Sequence, residues 1–132
     1  ITGVQLEKGS TATSFDYRPY GTELALCQRY YQKLGLALNA AIASGLATSS
    51  SQGLACVRFI VPMRSAPTAG FASLGFTDNV NYTGNVSALS TFDAGVDGGR
   101  LFVTTNAVMT ALRAGTLNSG AAGGYLDLSA EL

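Results

Sequence analysis

From Leu36 onward the chain is written in short runs of β-branched, aromatic and small apolar residues, each closed by Gly, Pro, Asn or Ser. The runs are "GLACVRFIVP", "TAGFASLGF", "NVNYTGNV", "GRLFVTT" and "GGYLDLSAEL". Pieces this short, with turn residues between them, read as strands rather than helices. Alternation is clearest in the last run. There Tyr125, Asp127, Ser129 and Glu131 take one face, and Leu126, Leu128, Ala130 and Leu132 take the other. The pattern predicts an all-β fold, an antiparallel β-sandwich of jelly-roll type, with a small barrel as the alternative. The tract "ATSSSQG", residues 47–53, reads as a hairpin tip. One run departs from this texture: "NAVMTALRAG", residues 106–115, permits a helical turn or two ending at Gly115.

The first residues are of another kind. Residues 1–21 hold a short strand candidate, "TGVQLEKG", and then a polar stretch ending in Arg18-Pro19-Tyr20-Gly21. This segment reads as a connector, and residues 22–132 as the domain proper. In "TELALCQRYYQKL", residues 22–34, Leu24, Cys27, Tyr31 and Leu34 recur at helical spacing, whereas the second half has the aromatic content of a strand. The expectation is a short helical turn over 22–27 running into a strand. Thr22 would cap its first turn, with Glu23 at the positive end of the helix dipole.

A chain of 132 residues can bury a core without metal or disulfide staples. Charged residues make up only 12% of it, against roughly a quarter in an ordinary soluble domain. With mean hydropathy at +0.24, a surface so short of charge favours a buried face between subunits. Formal net charge is zero and the basic residues are dispersed, which argues against nucleic acid or anionic lipid as partners. No apolar run reaches the roughly 18 residues of a membrane span, so membrane insertion is not expected. A start at Ile1 rather than Met points to an excerpt of a longer polypeptide or a processed product. Cys27 and Cys56 sit in apolar contexts and read as buried thiols rather than a disulfide pair.

Histidine is absent, which removes serine triads and His-containing zinc sites together. Neither cysteine has a partner base nearby in sequence. Among the acids, Asp93 and Asp97, or Asp16 and Glu23, offer pairs of the kind a glycosidase needs, but solvated turn carboxylates are the simpler reading. No phosphate loop, calcium loop or cofactor motif occurs, so neither cofactor nor metal is expected and the chain reads as no enzyme. Tyrosines remain: Tyr82 can stack on a sugar ring, while Tyr30, Tyr31 and Tyr125 read as packing residues with their hydroxyls at a rim.

Four stretches, "VQLEKGSTATSFDYRP", "ELALCQRYYQK", "VPMRSAPT" and "YLDLSAEL", resemble bacteriophage and prophage tail-fibre and tailspike-like virion proteins. The resemblance covers the first quarter well and only landmarks of the rest. It implies that residues 1–21 end an upstream carbohydrate-binding-module-like domain and that "ELALCQRYYQK" opens a C-terminal β-sandwich. Such a domain would be made in the bacterial cytoplasm, assemble as a homotrimer at the end of a virion fibre, and contact a bacterial surface polysaccharide. Under this reading the loops between 77 and 100, with Asn79, Asn81, Tyr82, Asn85 and Asp97, form the contact surface. Charges concentrated near the N-terminus then set register between subunits or domains. The candidates are Glu7, Lys8, Asp16, Arg18, Glu23, Arg29 and Lys33, joined by Tyr31. The alternative within the resemblance is a trimerisation cap, with recognition and catalysis located upstream.

Overall fold

The computed structural model describes residues 6, 8–11, 13, 14, 17–78, 83–106 and 109–131. Helix α1 (Tyr20–Gln28) comes first, followed by strands β1 (Tyr31–Gly35), β2 (Ala41–Ala47), β3 (Gln52–Arg58), β4 (Thr68–Ala72) and β5 (Leu74–Thr77). Then come β6 (Thr83–Ala94), β7 (Gly98–Thr105), β8 (Ala114–Ser119) and β9 (Tyr125–Ser129). Among the described residues the protein is therefore mostly β, with one short helix near the N-terminus, and every strand pairing is antiparallel.

Six strands close into a barrel in the order β2-β3-β7-β6-β5-β8. Closure comes from β8, which pairs with β2 on one side and β5 on the other, so the ring has no free edge. The remaining three strands form a small sheet in the order β1-β9-β4. Of the two architectures the sequence pattern allows, a jelly-roll-type sandwich and a small barrel, the hydrogen bonding gives a closed barrel wall with a three-stranded sheet packed on it.

The barrel interior follows the alternation of each strand. Ala55 and Val57 of β3, Leu101 and Val103 of β7, Leu117 of β8, and Leu74 and Phe76 of β5 point inward and are buried. The largest of these, Phe76, is fully buried. Two glycines face it: a Cβ on Gly53 would lie 2.9 Å from the ring, and one on Gly115 would lie 2.5 Å from it. In a barrel this narrow, small residues must stand opposite the large one. Gly115 therefore sits inside β8 and makes room for a ring. It does not end a helix: residues 109–113 lead into β8 through a turn, in which Leu112 has φ 63°.

The small sheet packs one face on the barrel. Register places Gln32 and Leu34 of β1, Leu126 and Leu128 of β9, and Ala69 and Phe71 of β4 side by side. Leu126 and Leu128 are fully buried in the same core cluster as the barrel residues. The outer face carries Lys33 over the Tyr125 ring at 3.5 Å. Ser119 ties the β1–β2 connection to the barrel. Its hydroxyl donates to the Ala37 carbonyl, and it accepts from the Ala40 N–H at 3.0 Å. The turn needs Gly35, whose φ of 103° and close approach to the Gly124 carbonyl exclude a side chain.

Candidate functional site

Helix α1 follows Pro19, whose φ of −58° and ψ of 135° suit the residue before a helix, and no side chain caps it. Thr22 thus lies inside the first turn rather than before it, while Glu23 occupies the first turn as expected. No residue of α1 is buried. Leu24 and Leu26 are about two-fifths exposed at 41% and 39%, and Tyr20, Tyr30, Tyr31 and Ile60 are exposed beside or after them. The spacing of Leu24 and Cys27 therefore does not mark a face turned toward this chain's own core. A mostly apolar groove of about 650 Å³ runs between α1 and the 61–63 segment, lined by Ala25, Leu26, Arg29, Val61, Pro62 and Met63 among others.

Gln32 holds the helix and that segment together. Its amide nitrogen donates to the Gln28 carbonyl at 3.1 Å and to the Val61 carbonyl at 2.7 Å, and its oxygen accepts from the Ile60 N–H at 2.8 Å. All of the side chain's bonds reach backbone, and the residue is almost fully buried. On the far side, the Phe59 N–H donates to the Asp97 carbonyl at 3.3 Å and the Met63 N–H to the Val96 carbonyl at 2.8 Å. Residues 59–63 are thereby pinned from both ends.

The pinned segment walls a second cleft, also about 650 Å³, on the outside of the barrel. Arg58, Phe59, Pro62, Asp97, Gly98 and Gly99 line it, together with Cys56. A neighbouring cleft of about 350 Å³ lies over β2 beside Ala41, Ile42 and Ser44 and shares Cys56 and Arg58. Cys56 and Arg58 meet both clefts because inward Ala55 and Val57 leave the alternate positions of β3 facing out. Both cysteines are free and exposed, against the expectation of buried thiols.

The sequence candidates are scattered by this architecture. Asn79, Asn81, Tyr82, Glu7 and Asp16 lie outside the described residues. The stretch 77–100 is largely strand, and it separates Asn85, near the start of β6, from Asp97, in the turn after it. The rise of an extended strand puts these two roughly 25 Å apart, so they do not share one tip. Arg18 and Glu23 pair with each other at 3.1 Å on the surface. Arg29 ends α1 and lines the apolar groove. Tyr31 opens β1 opposite Ser129. Asp93 pairs with Arg100 at 3.2 Å, also exposed. Among the described residues no group of three or more Cys, Asp or Glu side chains is placed to hold a metal ion.

Fold and surface together define a small mostly-β module with an outward-facing apolar helix and shallow clefts on its barrel wall. No family model, curated protein or solved structure matches the chain.

Proposed function

We propose that this chain is a non-enzymatic attachment module at the end of a phage tail fibre or tailspike-like protein, homotrimeric and directed at bacterial surface polysaccharide. The observation that carries the assembly half of this reading is α1: a helix with leucines at 24 and 26 that buries no residue against its own chain. A helix whose leucines keep about two-fifths of their surface exposed, in a chain only 12% charged, is stabilised when another surface covers it. Two further copies supply that surface in a threefold arrangement. The polysaccharide half rests on the sequence resemblance, and three weak sites per assembly would gain from effective concentration. A barrel and a jelly-roll sandwich differ in whether the corner strands stay bonded, so the closed wall is compatible with a sandwich-like terminal domain.

A registration cap is the second reading, favoured by the same helix. Light scattering after size exclusion across a dilution series tests the assembly: a persistent trimer is expected, and a monomer at all concentrations overturns it. Replacing Leu24 and Leu26 together by Asp should split the trimer. Binding of the chain to host cells separates attachment module from cap, and release of reducing sugar would overturn the non-enzymatic assignment.

A further inference from the structure

We propose that the paired clefts over β2, β3 and β7 are a saccharide groove, with Arg58 at its centre to take the carboxylate of an acidic sugar. The inference deepens the attachment reading and rests on it. Among the described residues neither the Arg58 guanidinium nor the Asp97 carboxylate has a hydrogen-bond or ion-pair partner, although both line one cleft. Arg100 is matched by Asp93, Arg64 lies over the Tyr30 ring, and Lys33 lies over Tyr125; Arg29 and Arg113 also have no ion pair among the described residues, but Arg29 borders the apolar groove and Arg113 has a buried guanidinium nitrogen. Arg58 is left with its planar fork of donors facing solvent between two hollows. That fork fits a carboxylate through two parallel bonds.

The rest of the lining suits a sugar. Asp97 can accept from ring hydroxyls, Phe59 is half-buried and braced against Phe92 at 6.4 Å, and Pro62 adds an apolar edge. Gly98 and Gly99 complete the lining with backbone alone. The wall is held in place before any ligand arrives, by Gln32 on Ile60 and Val61 and by the backbone bonds from Phe59 and Met63 to the β6–β7 turn. Preorganisation of this kind reduces the ordering cost of binding. The two clefts together span three strands, about 10 Å across at ordinary strand spacing, which suits an extended ligand crossing Arg58.

Cys56 supplies a reporter. It is exposed, it lines both clefts, and Cys27 on α1 is a thiol outside them. The test uses the whole chain in its solution assembly on an array of bacterial surface polysaccharides divided into uronate-bearing and neutral members. Hits are repeated with oligosaccharides in solution while iodoacetamide alkylation of each cysteine is followed by mass spectrometry. Expected are uronate-bearing hits, slower alkylation at Cys56 with Cys27 unchanged, and at least a tenfold loss of affinity in Arg58→Ala, about 1.4 kcal/mol. Arg58→Lys, which keeps charge but not the fork, should retain only part of the binding, and an unchanged melting temperature shows that both variants fold. If neutral glycans bind as well as acidic ones, or if binding leaves Cys56 alkylation and the Arg58→Ala affinity unchanged, the groove is overturned while the attachment reading stands. If the chain binds no glycan and no host cell, both fall.

Discussion

Phe76 and the two glycines facing it give the sharpest test of the barrel. A methyl group at Gly53 would meet three ring atoms of Phe76 at 2.9, 2.9 and 3.0 Å and no backbone among its nearest neighbours. Carbon atoms pack comfortably at 3.5–4.0 Å, so the ring would have to retreat by about half an ångström into a core that leaves it no exposed surface. Overpacking of this kind costs about 1–3 kcal/mol. It is partly offset by the ~0.5–1 kcal/mol that Ala gains over Gly within a strand. Gly53→Ala should therefore lower stability in the parent. In a Phe76→Leu background, where the ring is gone, it should become neutral or slightly stabilising. Gly115→Ala should behave otherwise, because its methyl would also meet the Thr77 carbonyl at 2.7 Å, and backbone does not retreat when a side chain is trimmed. Urea unfolding at fixed protein concentration, with midpoints and slopes for the parent, the single variants and both double variants, reads the coupling directly. The coupling between 53 and 76 should be about 1–3 kcal/mol, or about 3–5 °C of melting temperature per kcal/mol for a chain this size. Equal costs for Gly53→Ala in both backgrounds would refute the reasoning that the ring fills the space opposite Gly53.

Three further outcomes are expected. Gln32→Leu strands the Gln28 and Val61 carbonyls and the Ile60 N–H; at about 1–3 kcal/mol for each buried group left unpaired, it should cost at least ~2 kcal/mol by thermal or urea unfolding, whereas an unchanged midpoint would mean that water replaces the amide. Arg100→Ala breaks only a pair with Asp93 whose side chains are 63% and 54% exposed, so its melting curve should lie within about 1 kcal/mol of the parent's; a larger loss would show that Arg100 packs as well as pairs. Leu126→Ala, at a fully buried position in the middle strand of the small sheet, should cost about 2–5 kcal/mol, and a loss below 1 kcal/mol would mean that this sheet is not part of the cooperative unit.

Local pattern carried much of the fold. The runs ending in "GLACVRF", "GRLFVTT" and "YLDLS" became β3, β7 and β9, "ATSSSQG" became the β2–β3 turn, and the helix-then-strand reading of residues 22–34 was right in kind. A small barrel was among the readings, but which strands close it was not legible, because closure depends on β8 meeting strands far from it in sequence, and no local alternation encodes such a partnership. "TAGFASLGF" hid a break: Ser73, at φ 48°, splits it into β4 in one sheet and β5 in the other. Cys56 was misread for want of phase, since Ala55 and Val57 take the inside and a one-residue shift reverses every face. The same phase would have pointed to Arg58, a charge on the outward positions of a strand. Glycines taken for turns prove in part to be spacers within strands, as Gly53 and Gly115 are. Of the expected contact residues, Asp97 lies in a cleft; its neighbours there come from β3 and the following segment, which only the tertiary fold brings near.

The central place of β9 in the small sheet has a consequence for how the chain is made. During synthesis β1 and β4 emerge well before the strand that lies between them: Tyr31 must wait for Ser129, and Thr68 for the same residue. The β2–β3 and β6–β7 hairpins can form as soon as they leave the ribosome, within microseconds. The barrel must then wait for β8, and the sheet for β9. Pairings this distant fold slowly, so a nascent chain spends its longest interval with two unpaired strands. It is during that interval, rather than in the finished molecule, that chaperones or neighbouring copies have the most backbone to hold.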